Sequence, residues 1–176
     1  MKQIFNVPSG LVVSMALIIA TFNGISSVAQ EIPVPVKLQV VLFKKVFTLS
    51  KNLQGKQVKV VVAFGGSSSL VKDEALSGFI AIGIQATACK VSQLPQEASD
   101  ADVIYIAPGA EAAHKFCEEK GILSMTGMPS LTESGKVSIA IDIEAGKPKV
   151  LINRNRAKAE KQEFSSDLFK VARIFQ

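Results

Sequence analysis

The 176-residue sequence has no tryptophan, one tyrosine, one histidine and two cysteines. Its 20 basic and 15 acidic residues give a formal net charge of +5, but no dense basic block appears and no aromatic residues alternate with the basic ones. Nucleic-acid-binding surfaces need such a basic patch. We therefore expect no nucleic-acid partner, whereas an acidic protein or an anionic surface remains open as a partner.

The sequence also lacks a recognisable catalytic or metal-binding motif. His114 stands three residues after Glu111 and four before Glu118, a spacing at which helical side chains form ion pairs. One histidine and two distant cysteines are too few ligands for a zinc site, and Ser130 lacks the surroundings of a hydrolase nucleophile. We therefore predict no catalytic residue, no metal and no cofactor, and a hydrolase that uses His114 or Ser130 is the least favoured alternative.

The apolar run near the start, residues 11–22, is shorter than the roughly 20 residues that span a bilayer. Lys2 precedes this run, and Ser27-Val28-Ala29 follows it with small residues at the positions that signal peptidase reads. The pattern predicts a signal peptide over residues 1–29; the alternative is an uncleaved membrane anchor. No cysteine follows the cleavage site, so a lipid anchor is not expected. Residues 30–176 are then one exported, soluble domain.

An amphipathic helix is predicted over residues 34–51, because apolar side chains recur at helical spacing. These side chains are Val36, Val40, Phe43 and Phe47, with Leu38, Leu42, Val46 and Leu49 beside them. Lys37, Lys44 and Lys51 recur every seven residues on the opposite side. They form either a solvated face or a basic stripe for an anionic partner.

Strand and helix patterns then alternate along the chain. Apolar segments predict strands at 58–64, 86–94, 103–107 and 122–126, and helices are predicted at 70–82 and 110–120. The β-branched run in the first of these strands is typical of a strand buried on both faces. The sequence therefore predicts an α/β fold, a three-layer α/β/α sandwich around a mostly parallel sheet.

The C-terminal region has a different pattern. Apolar and polar residues alternate over 137–144, and after a turn residues 148–153 run back, which predicts an antiparallel β-hairpin. A short polar helix is expected within 153–162. Ser165 is a candidate N-cap for a final helix, whose buried face would be Phe164, Leu168, Val171 and Phe175. Phe169 and Ile174 lie off that face and are either docked against the body or exposed as a contact surface.

Gly65, Gly66, Ser67, Ser68 and Ser69 follow a predicted buried strand and open a helix. Free backbone N–H groups at such a helix start, flanked by hydroxyls, can hold a phosphate or carboxylate. The segment matches neither of the standard phosphate-binding motifs. It is interpreted either as an anion-binding loop or as a tight turn capped by serine.

Cys89 and Cys117 remain in the predicted mature chain. An even cysteine count in an oxidising compartment permits one disulfide. Because cysteine also packs as a small apolar side chain, two buried free thiols are the alternative.

Several segments together resemble the YfiR-like family of periplasmic proteins. They are, in order, VKLQVVLFKKVFTL, KVVVAF, ADVIYIAPG, GILSMTGMPSL, GKVSIAIDIEAGKPKVLINRNRAKAE and FSSDLFKVAR. The likeness covers about residues 34–175 and is sharpest over Gly135–Arg173. Two features depart from the family pattern: no second cysteine pair follows Cys117, and Thr48-Leu49-Ser50 replaces an aromatic-plus-proline signature.

The resemblance implies an α/β/α sandwich that acts by protein contact rather than by catalysis. It implies binding to the periplasmic domain of an inner-membrane diguanylate cyclase or sensor kinase, and hence restraint of cyclic-di-GMP signalling and biofilm formation. It also implies an internal disulfide, Cys89–Cys117, and a tendency to form homodimers. The expected partner surface comprises Lys37, Lys44, Lys51, Phe169, Arg173 and Ile174. The alternative function is a periplasmic module that binds small anions or other solutes through Gly65–Ser69.

Overall fold

Strands and helices alternate along the part of the chain that the computed structural model describes, residues 34–66 and 68–176. The helices are α1 (Val36–Leu49), α2 (Ser69–Ala81), α3 (Leu94–Glu97), α4 (Ala113–Lys120), α5 (Pro129–Glu133), α6 (Arg154–Ala159) and α7 (Ser166–Val171). The strands are β1 (Lys59–Phe64), β2 (Gln85–Lys90), β3 (Val103–Ile106), β4 (Leu123–Thr126), β5 (Ile139–Glu144), β6 (Lys147–Asn153) and β7 (Arg173–Phe175). Within these ranges no helix is long and apolar enough to cross a membrane. The predicted signal peptide, residues 1–29, lies outside the described residues.

The strands form one sheet in the order β2-β1-β3-β4-β5-β6-β7. The strands from β2 to β5 pair in parallel, β6 runs antiparallel to β5, and β7 is again parallel to β6. Ala145 and Gly146 both have positive φ in the β5–β6 turn, which is the backbone that a two-residue hairpin requires. The predicted mostly parallel sheet with a C-terminal antiparallel hairpin is confirmed.

Two apolar clusters cover the opposite faces of this sheet. The first packs Phe43 of α1 and Phe79 of α2 against Tyr105 and neighbouring strand residues. The second packs Leu94 and Phe116 from α3 and α4 against the other face. Because both faces are covered, all four residues of β3 are buried. The predicted three-layer arrangement is therefore confirmed.

α1 lies within the predicted range and buries the predicted line of apolar side chains, with Val40 and Phe43 almost fully enclosed. Each deeply buried aliphatic or aromatic side chain contributes roughly 1.5–3 kcal/mol to folding. Lys37 and Lys44 lie on the exposed side of the helix. The helical spacing of apolar residues was sufficient to predict α1 because one stripe of the helix packs against the core.

The predicted final helix is too long. α7 ends at Val171, Ala172 adopts an extended backbone, and the next three residues form β7 beside β6. Pairing of Ile174 with Ile152 gives β6 a second neighbour. Val171 is 56% exposed. It therefore does not lie on the buried helix face that the sequence predicts for it. The reason is long-range strand pairing, which local periodicity does not report.

Two short helices, α3 and α5, were not predicted. The strand predicted over 86–94 ends at Lys90, because a single 3₁₀ turn and then α3 follow. Pro95 lies in the first turn of α3, and Pro129 lies at the same place in α5. Proline favours a first helical turn, where its missing N–H has no partner to lose.

Candidate partner-binding cleft

An open cleft of about 800 Å³ lies beside α6. Its walls are α6, the segment 161–164 and α7, while Lys51, just after α1, stands at the rim. Lys51 and Phe169 belong to the surface expected from the sequence, but the cleft-lining residues of α6 do not. Sequence reasoning missed them because α6 has the composition of an ordinary solvated polar helix.

The first wall begins where β6 ends. Asn153 is the N-cap of α6, and its side-chain oxygen accepts a hydrogen bond from the Arg156 N–H at 2.9 Å. Its Nδ2 donates to the Thr132 carbonyl at 3.1 Å, and the residue is only 1% exposed. A capping side chain satisfies an otherwise free N–H of the first turn. Asn153 therefore fixes both the start of α6 and its position over the sheet.

The second wall is fastened to the end of α1. The Lys51 N–H donates to the Glu163 carbonyl at 2.9 Å, and the Glu163 N–H donates to Asn52 Oδ1 at 2.8 Å. Asn52 Nδ2 also donates to the Lys161 carbonyl, at 3.3 Å. These bonds join parts of the chain more than 100 residues apart. They hold the Lys51 side chain at the cleft, where its Nζ lies 3.4 Å from Glu163 Oε2.

The cleft carries an excess of positive charge. Arg154, Lys158 and Lys161 line it, and none of the three has a carboxylate within 4.0 Å among the residues described. Glu163 is the acidic residue on its lining, and it already pairs with Lys51. Such a concentration of like charges in a concave surface attracts anions.

Aromatic side chains supply an apolar part of the same cleft. Phe164 is buried, and its ring meets Phe169 edge to face, with 6.2 Å between the centroids. The Arg154 guanidinium lies 5.6 Å from the centre of the Phe169 ring, within the range of a cation–π contact. The cleft therefore combines unpaired cations with an aromatic surface.

A buried carboxyl group anchors the end of α6. Glu160 follows α6 and is fully buried, and its two oxygens accept hydrogen bonds of 2.5 Å from the hydroxyls of Ser124 and Ser138. The Ser124 N–H donates to the same group at 2.9 Å. Burial raises the Glu160 pKa to about 7, although these hydrogen bonds and nearby Arg156 act in the opposite direction. Sequence reasoning gave no sign of this site, because Ser124 on β4 and Ser138 just before β5 are both far from Glu160 along the chain.

The six residues of the expected partner surface have different surroundings. Lys51 and Phe169 meet at the cleft. Lys44 donates to the Ile82 carbonyl at 2.7 Å and belongs to the contact between α1 and α2. Arg173 pairs with Glu144 at 3.0 Å on the hairpin. Lys37 is exposed on α1 and Ile174 on β7. Their role in binding remains a prediction.

The predicted anion-binding loop forms a tight turn between β1 and α2. The Gly65 N–H donates to Ser68 Oγ, and that hydroxyl in turn donates to the Gly65 carbonyl, both at 3.1 Å. A Cβ on Gly65 would collide with the backbone of Gly109, so glycine is required there. Ser67 lies outside the described residues, and Ser69 is the first residue of α2. Anion binding by this loop remains a prediction.

The predicted disulfide is absent. Cys89 and Cys117 are both buried free thiols. β1 separates β2, which carries Cys89, from β3, and adjacent strands lie about 4.8 Å apart. Cys117 lies on α4, which packs on β3 and β4, and no bond joins the two cysteines. Burial raises the pKa of both thiols, which keeps them protonated and unreactive.

The expected ion pairs of His114 also do not form. Its Nδ1 lies 2.7 Å from the Glu111 carbonyl oxygen, the Glu111 carboxylate accepts the Gly109 N–H at 2.8 Å, and Glu118 pairs with Arg156 at 2.5 Å. No cluster of three or more potential metal-ligating side chains occurs in the ranges that the structure describes.

Comparison with known proteins supplies a family match. The model of the YfiR/HmsC-like family matches residues 48–173, whereas no curated protein matches the sequence. The ABC domain from Streptococcus pneumoniae, solved in complex with L-Trp, is similar at a TM-score of 0.60 and 13% identity over 80% of this chain and 60% of that one. A conserved domain protein from Vibrio cholerae O1 biovar El Tor is similar at 0.61 and 13% identity over 83% of this chain and 61% of that one. The chain thus spans about three fifths of each neighbour, and at this identity the likeness shows the fold alone.

Proposed function

Because the chain belongs to the YfiR/HmsC-like family, we propose that it is an exported, periplasmic regulatory protein that binds the periplasmic domain of an inner-membrane signalling protein. The favoured partner is a diguanylate cyclase, with a sensor kinase as the alternative. Binding holds the output of the cyclase low and so restrains cyclic-di-GMP signalling and biofilm formation. The family match over residues 48–173 is the observation that carries this proposal.

The surface chemistry of the chain supports a role in protein contact. A regulator that acts by contact needs an accessible surface whose charge and shape distinguish one partner from others. The cleft beside α6 offers unpaired cations next to the rings of Phe164 and Phe169. Its walls are fixed by Asn153 and by the Lys51–Glu163 contacts, so binding requires little reorganisation.

The proposal is tested by capture followed by direct binding. The full chain, tagged at its C-terminus, is produced in its native host and recovered from the envelope together with its partners. We expect a membrane protein with a cyclase or kinase output domain, and we expect its purified periplasmic domain to bind in calorimetry. A chain lacking residues 2–29 should stay in the cytoplasm and capture no such protein. Failure of the exported chain to recover any membrane signalling protein would contradict the proposal.

A further inference from the structure

We propose that the cleft beside α6 is the docking site for an acidic segment of the partner, whose carboxylates meet Arg154, Lys158 and Lys161 while an apolar side chain packs on Phe169. This inference rests on the proposed regulatory function and names the surface and the chemistry of the contact. The contact requires only that the partner segment carry negative charge and an apolar side chain.

The distribution of charge within the cleft favours an acidic ligand. Arg154 and Lys158 are four residues apart and both line the cleft, so on a helix they repel each other. Arg154 also stands in the first turn of α6, where the helix dipole disfavours a cation. Neither cation has a carboxylate within ion-pairing distance among the described residues. A ligand that brings carboxylates removes this repulsion.

The backbone conformation of Lys161 is unusual for a lysine. Its φ of +56° lies in the left-handed region, just after the C-cap of α6. Glycine is the favoured residue at such a position, because a side chain there is strained. Here a lysine occupies it, and its side chain lines the cleft. The fold thus tolerates a local strain that delivers one more cation to the site.

The form of the cleft favours a peptide segment over a small inorganic anion. Its volume of about 800 Å³ has room for several side chains. The aromatic pair stands beside the cations, so that the same ligand must present both an apolar group and negative charge. A segment that alternates acidic and apolar residues fits both requirements, whereas phosphate meets only one of them.

The test uses fluorescence anisotropy with a short labelled peptide of glutamate and aspartate around a phenylalanine–leucine pair. The matched control peptide carries glutamine and asparagine instead. We expect the purified mature chain to bind the acidic peptide at low salt, to lose affinity as salt rises, and to bind the neutral peptide at least about tenfold more weakly. Equal binding of both peptides, no binding of the acidic one, or binding of inorganic phosphate alone would overturn the proposal.

Two variants localise the contact. Lys158→Glu should weaken peptide binding about tenfold, whereas Lys115→Glu, an exposed change on α4, should leave it unchanged. Lys161→Gly relieves the left-handed strain, so we expect a higher urea midpoint together with weaker peptide binding, which no loss of folding can explain. Wild-type affinity in both cleft variants would overturn the inference.

If Lys158→Glu still captures the membrane partner, the docking site is wrong and the regulatory function stands. If the wild-type chain captures none, the function itself fails.

Discussion

At the scale of single residues, the Glu160 carboxyl is the least expected feature of the chain. It is fully buried and held by the hydroxyls of Ser124 and Ser138. A buried carboxyl group loses the hydration that stabilises its charged form, and this raises its pKa to about 7. We therefore expect the attachment of α6 to the sheet, and with it one wall of the cleft, to weaken as the pH rises toward 7.

Stability should fall as the pH rises from about 4.5 to about 7. The Glu160 pKa moves from about 4.5 to about 7 on folding, so its contribution is fully present below pH 4.5 and is lost as the pH rises through 7. The loss amounts to about 3 kcal/mol. Glu160→Gln should flatten the dependence of the unfolding free energy on pH between 5 and 8, measured with urea. Exposed Glu163→Gln is the control. An unchanged slope in Glu160→Gln would contradict this account of the buried carboxyl.

Gly65 offers a second test at this scale. A Cβ there meets the Gly109 backbone, which cannot move aside as a side chain could. Gly65→Ala should lower the free energy of unfolding by about 1–3 kcal/mol. Gly66→Ala, whose Cβ meets nothing within 4 Å, should change it by less than about 0.5 kcal/mol. Equal urea midpoints for the two variants would show that the close approach is not required.

At the scale of elements, the sequence correctly predicted those helices and strands whose burial pattern is visible in neighbouring residues. The run from Val58 to Phe64 and the periodicity of α1 follow directly from burial of strand faces and of one helix stripe. β7 and the three polar bonds of Glu160 depend on partners far along the chain, so no local window contains them. The cleft itself was not predicted, although Lys51 and Phe169 of the expected partner surface line it, because the segments that form it meet through long-range backbone bonds.

The N-cap of α6 determines whether the cleft wall is held in place. Asn153→Ala removes the acceptor for the Arg156 N–H and the donor to the Thr132 carbonyl. We expect the free energy of unfolding to fall by about 1–2 kcal/mol. Asn155→Ala, an exposed change on the same helix, is the matched control and should have little effect. Hydrogen exchange should rise first in residues 154–162, and exchange that rises uniformly would argue against a local anchor.

At the scale of the whole molecule, contact with a periplasmic partner requires that the protein be exported. The apolar run at residues 11–22 and the small residues before Gln30 predict removal of the first 29 residues. Protein recovered from the periplasm should therefore give an N-terminal sequence that begins with Gln30. An intact Met1, or recovery only from the cytosol, would contradict the predicted compartment and remove access to a periplasmic partner.

The measurement that tests the central claim most directly is cellular cyclic-di-GMP with and without the gene. Deletion should raise the cyclic-di-GMP level and increase biofilm, and the wild-type chain should restore both. Lys158→Glu, exported in equal amount, should fail to restore them, while Lys115→Glu should succeed. Unchanged cyclic-di-GMP on deletion would contradict the assignment of this chain as a regulator of a membrane cyclase.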